Sequence, residues 1–118
     1  MSEFDLSPLS EMKGYVASAL VDGSSGMLMA EHGNAPFSLE LAAAGNTEVV
    51  RAKQQTMESL EVSDEIEDIL ISLGNQYHII RPVESAKHIF LYVVLDRVHA
   101  NLGMARHIIK GLEKHTSL

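Results

Sequence analysis

The sequence has no cysteine, which excludes disulfides and thiolate zinc sites and fits a reducing compartment. It is also poor in positive charge: nine Lys and Arg stand against sixteen Asp and Glu, a formal net charge of −7. General attraction to phosphate backbones or anionic lipid is therefore not expected, and nucleic acid is a poor partner. Long apolar runs are missing as well. The longest, residues 89–95, falls far short of the roughly 20 residues a helix needs to span a bilayer. The first five residues are acidic rather than basic and lead into no apolar stretch, so neither a secretory nor a mitochondrial leader is expected. No linker, repeat or low-complexity tract divides the chain. These absences predict one cytoplasmic domain over residues 1–118, with no direct membrane insertion.

What is present is enough to fold. Hydrophobic residues make up 46% of the chain and charged residues 21%, above the apolar content at which ordering entropy wins. Ser7 before Pro8, with Glu11 following, marks a short helix that Gly14 limits to about two turns. Residues 15–21 are rich in strand formers, and Asp22-Gly23-Ser24-Ser25-Gly26 is a turn leading into a second strand at 27–31. Ser38 is placed to cap a long helix over 39–60.

On that helix, a step of 100° per residue sets Leu41, Ala42, Gly45, Val49, Ala52, Thr56 and Leu60 on one side. Glu40, Thr47, Glu48, Arg51, Gln54, Gln55 and Glu58 fall opposite. Leu39, Ala43, Val50 and Met57 lie between, widening the apolar stripe beyond what one core contact requires. Two buried faces are expected.

Residues 69–73 form a third strand, and Gly74-Asn75 joins it tightly to a fourth at 77–81, which Pro82 is expected to end. Residues 88–95 are apolar at both parities, as in a strand covered on both faces. A final amphipathic helix runs over 100–115, with Leu102, Met104, Ala105, Ile108, Ile109 and Leu112 on its inner side. The order is helix, two strands, long helix, three strands, helix. This favours an antiparallel sheet with helices on its faces.

Little in this pattern can do chemistry. Gly23-Ser24-Ser25-Gly26 lacks the lysine of a phosphate-binding loop, and flanking strands make it a hairpin turn. The six histidines show no i, i+4 pair on the last helix, so no metal site is expected; His78 and His88 read as strand residues and His32 as part of a turn. Glu58, Glu61, Asp64, Glu65, Glu67 and Asp68 lack the spacing of a calcium loop and read as a solvated linker. No serine sits in a nucleophile elbow. Met27, Met29 and Met104 are expected in the core, with Met57 the one methionine assigned to an interface. No cofactor is implied.

Three stretches carry a resemblance: Ala19-Leu20-Val21-Asp22-Gly23-Ser24-Ser25-Gly26-Met27-Leu28, then Ile79-Ile80-Arg81-Pro82-Val83, then Leu91-Tyr92-Val93-Val94-Leu95-Asp96 followed by Ala100-Asn101-Leu102-Gly103-Met104-Ala105-Arg106. In order and spacing the chain resembles the Roadblock/dynein light chain family, whose bacterial members regulate Ras-like GTPases. The resemblance implies an α/β (α+β) fold with a five-stranded antiparallel sheet, the long helix on one face and the terminal helices on the other. It implies central first and last strands and a third strand at an edge, where two subunits join. On that basis Ile69, Ile71 and Leu73 form the pairing edge, and Leu39, Ala43, Val50 and Met57 meet a symmetry mate.

The function implied is a non-catalytic homodimer that binds a small Ras-like GTPase through Glu48, Arg51, Gln55 and Glu58. Arg51 is not assigned as an arginine finger, because a lone helix arginine is usually a surface charge. The alternative is an adaptor that tethers motor or signalling components without regulating a GTPase.

Overall fold

The structure, a computed structural model, describes residues 5–114. Strands β1 (Tyr15–Asp22) and β2 (Met27–Gly33) form the expected hairpin. Its turn is organised by Asp22, whose carboxylate accepts the Ser24 hydroxyl at 2.6 Å and the Ser24 amide at 2.9 Å. Those bonds hold the Asp22 carboxyl below the usual carboxylate range. Helix α1 (Leu39–Ser59) starts where expected, with the Ser38 hydroxyl accepting the Leu41 amide at 3.2 Å. Strands β3 (Ile69–Ser72), β4 (Gln76–Val83) and β5 (Ala86–Asp96) follow, then helix α2 (Leu102–Lys114).

The sheet order is β2-β1-β5-β4-β3, with every neighbouring pair antiparallel. β5 lies in the middle, and its residues 89–95 are buried without a break. Apolarity at both parities thus has its expected cause: each face of the sheet has its own core. On one face α1 packs Leu39, Ala43 and Val50 against Ala17, Val21, Ile80, Phe90 and Val94. On the other, Leu6, Leu9 and Met12 join Ala105 and Ile109 of α2 over Leu20, Ile79, Leu91, Val93 and Leu95. This is the expected α+β arrangement. Among the described residues no helix is long and apolar enough to cross a membrane.

Several local expectations are corrected. The first element is a 3-10 turn, Ser7–Glu11, with Leu6 rather than Ser7 at the cap position. The chain must reverse tightly here, because Gly14 has φ +79° and a Cβ there would lie 2.8 Å from the Asp96 carbonyl oxygen. His32 is a strand residue rather than a turn residue, its ring nitrogen 3.0 Å from the Tyr15 hydroxyl. Pro82 does not end β4, which continues to Val83 past a register shift. A residue without an N–H is tolerated there because β3 pairs only with residues 77–80, so β4 has no ladder partner on that side at Pro82.

The methionines are corrected too. Met27, Met29 and Met104 are 68%, 49% and 57% exposed. Met29 is the extra residue where Leu20 pairs with Ala30 but Val21 with Leu28, on an edge strand. Met104 lies about 120° around α2 from the Ala105 and Ile109 seam. That helix begins at Leu102, after Asn101 accepts the Met104 amide at 3.0 Å. The part of the expectation that reached residue 115 lies outside the described residues.

Candidate functional site

The long helix decides which surfaces remain for partners. Its inner face is Leu39, Ala43, Thr47 and Val50, all buried. Thr47, expected on the polar arc, is only 3% exposed because its hydroxyl donates to the Ala43 carbonyl at 2.8 Å. Leu39, Ala43 and Val50, expected at a subunit contact, are covered in the single chain by their own sheet. Met57 is half-buried at the far end of the helix. Of the face expected in the core, Ala42 packs there half-buried and the rest is open. Leu41 is 76% and Val49 37% exposed, and Gly45, Ala52 and Thr56 beside them are exposed as well.

The direction of this open flank follows from the opposite side. A Cβ at Gly26 would lie 3.8 Å from Ala44 and 3.7 Å from the Thr47 hydroxyl. The Arg51 guanidinium donates to the Gly23 and Ser24 carbonyls at 3.4 and 3.2 Å. Ala44, Thr47 and Arg51 therefore face the β1–β2 turn, toward the β2 end of the sheet. Val49 and Thr56, roughly half a turn away around the helix, look toward β3.

β3 is an edge strand, bonded only to β4. Ile69 and Ile71 are half-buried and pack toward α1, while Leu73, just past the strand, is 42% exposed. An unpaired strand border and an uncovered helix flank thus lie on one side of the molecule. Glu48, Arg51, Gln55 and Glu58 are all exposed on the outer arc of α1. Arg51 is not free there, since it also pairs with Glu48 at 3.2 Å.

Two groupings were not read from the sequence. Beneath α1, the His78 ring nitrogens lie 2.9 Å from the Tyr92 hydroxyl and 2.9 Å from Gln76 Oε1, with Phe37 tilted against the ring. Burial pushes the His78 imidazole below its usual pKa and the Tyr92 phenol above its own. The second is the acidic segment, which is the exposed connection expected but is tied down by ion pairs. Asp68 accepts Arg106 through both oxygens at 2.8 and 3.1 Å. Glu67 takes Lys110 at 3.1 Å, and Glu65 pairs with Lys87. The segment is a strap tied to α2 and to the start of β5. Among the described residues no group of three His, Asp or Glu side chains is placed to hold a metal.

No family model matches the sequence, and no curated protein does. The folded chain is nevertheless similar to the Roadblock/LC7 domain from Streptomyces avermitilis, at 13% identity and a TM-score of 0.79, covering 92% of this chain and 88% of that one. It is similar to MglB of Myxococcus xanthus at 20% identity and a TM-score of 0.77, covering 90% and 83%. It is also similar to the gliding protein MglB from Thermus thermophilus at 20% identity and a TM-score of 0.75, covering 92% and 78%. The chain has the Roadblock/LC7 fold.

At such identities the likeness speaks for the fold alone, and side chains must be argued from this molecule. In this Roadblock/LC7 sheet β2 and β3 are the two borders. The β3 border is unpaired and the apolar flank of α1 is uncovered. These two open surfaces are the candidate site.

Proposed function

We propose that the chain is a non-catalytic, homodimeric Roadblock module that binds a small Ras-like GTPase and alters its nucleotide cycle or location. The observation that carries the dimer is the open β3 border together with the exposed Leu41, Gly45, Val49 and Ala52 of α1. A strand border invites a second strand, and a two-fold axis there brings the same helix flank against itself. Small residues at Gly45 and Ala52 let two helix backbones approach closely. The surface is isologous by construction.

Regulation of a GTPase is the activity that the sequence resemblance implies, and fold by itself does not establish it. A two-fold dimer sets both copies of Glu48, Gln55 and Glu58 on one outer face, next to Arg51 and the hairpin turn it holds. This face is the proposed contact for the GTPase. The absence of a strong positive field argues for a protein partner over nucleic acid.

The test is binding of the purified protein to a Ras-like GTPase encoded beside it, loaded with GDP or with a non-hydrolysable GTP analogue. Preference for one state, lost in Glu48→Lys/Gln55→Ala/Glu58→Lys, is expected. Binding to neither state overturns the reading. Equal binding to both would favour the tethering adaptor.

A further inference from the structure

A cleft of about 860 Å³ opens between the end of α1, the strap at 62–67 and the β4–β5 hairpin. It is within the size range of ligand sites, and it is separate from the β3 border and the Leu41–Val49 flank. Its apolar lining is Met57, Val62, Ile66 and Val83. Val62 is 47% exposed there while Val83 beneath is 2% exposed, so a dry strip meets solvent at the cleft.

The charges of the lining fall into two classes. Each cation is already engaged: Arg81 by Glu113 at 3.2 Å, Lys110 by Glu67 at 3.1 Å, and Lys87 by Glu65. The acids are not all engaged. The Glu58 and Glu84 carboxylates line the cleft with no hydrogen bond or ion pair among the described residues. The Asp64 carboxylate accepts only the neighbouring Glu65 amide, at 2.8 Å. An anionic ligand would have to displace a built ion pair, whereas a cationic one meets vacant carboxylates.

We propose that this cleft docks a short basic segment of a partner protein, one that alternates lysine or arginine with apolar residues. The apolar side chains lie on Met57, Val62 and Ile66, and the cations reach Glu58, Glu84 and Asp64. Charge gives the encounter its direction and the apolar strip holds the segment in place. The strap makes one wall of the groove, so an occupant touches the segment that leads directly into β3.

The probe is a fluorescein-labelled peptide alternating lysine and valine, titrated against the full chain by anisotropy, with a lysine–serine peptide of equal charge as comparison. Saturable binding of the lysine–valine peptide is expected. It should weaken roughly fivefold to tenfold in Asp64→Asn/Glu84→Gln, two exposed pairs' worth of interaction, with circular dichroism unchanged. Amide shifts should cluster at Met57, Val62 and Ile66. Absence of saturable binding overturns the proposal. So does equal affinity for the lysine–serine peptide, equal affinity of the double variant, or shifts confined to the outer arc of α1. A GTPase is not part of this experiment, so its outcome is independent of the regulator reading.

Discussion

The Arg81 guanidinium meets the Glu113 carboxylate at 3.2 Å, and both side chains are less than a tenth exposed. This pair ties β4 to the last turns of α2 across the edge of one core. Removing one partner leaves the other charge buried, and Glu67 at 3.9 Å is too exposed to compensate fully. Glu113→Gln should therefore cost about 3 kcal/mol in urea denaturation, while Arg81→Met/Glu113→Leu should cost clearly less. A larger loss in the double variant would show that the pair is a net stabiliser.

The two stripes of α1 separate folding from association. Val50 is 8% exposed in the chain's own core, so Val50→Glu should lower stability by about 3 kcal/mol or more, even in a monomer. Leu41→Glu/Val49→Glu changes the open flank and should leave the melting temperature of the monomer nearly untouched while halving the sedimenting mass. A wild-type monomer at micromolar concentration would remove the dimer.

Gly45 gives a finer version of that test. A Cβ there meets no atom within 4 Å, so Gly45→Ala should stabilise the isolated chain by up to about 1 kcal/mol through helix propensity. Gly45→Leu should instead weaken self-association measured by sedimentation, because two helix backbones are then held apart.

Gly33 should behave oppositely. Its φ is +86°, and a Cβ would stand 2.5 Å from the Val16 carbonyl oxygen. Gly33→Ala is expected to cost about 2 kcal/mol or more, read by thermal melting.

Burial holds the His78 imidazole below its ordinary 6.5, so the folded state binds fewer protons at this site than the unfolded one. The stability it contributes is complete above 6.5 and falls as the pH drops from there toward the lowered folded value. Asp22 and Asp96, also held low by hydrogen bonds from Ser24 and His99, act only in the carboxylate range below. Melts at about pH 7 and about pH 5 should differ in the wild type and differ less in His78→Gln. An unchanged slope in the variant would sink the assignment.

Much of the fold was legible because single residues decided it. Ser38, the Asp22 to Gly26 turn and the unbroken apolarity of 89–95 each had one physical reading, and the structure has it. The core face of α1 was misplaced for an equally specific reason. Threonine at 47 was counted as polar although its hydroxyl can be satisfied within the helix, and glycine and alanine at 45 and 52 were counted as core although they suit a close helix contact as well. The strap was illegible because the cations that hold it, Arg81, Lys87, Arg106 and Lys110, come from elements later in the chain. The His78 and Tyr92 contact spans two strands, and only their register brings the rings together.

Pro82 has one more consequence. Extending the β3 ladder by two residues would bring Glu67 opposite an imide nitrogen that has nothing to donate, and the strand stops at Ile69. Four residues span roughly 13 Å. Whatever adds itself to that rim gains only a handful of main-chain bonds, so the grip must come from side chains, and a sheet this short at its margin resists growing into fibres.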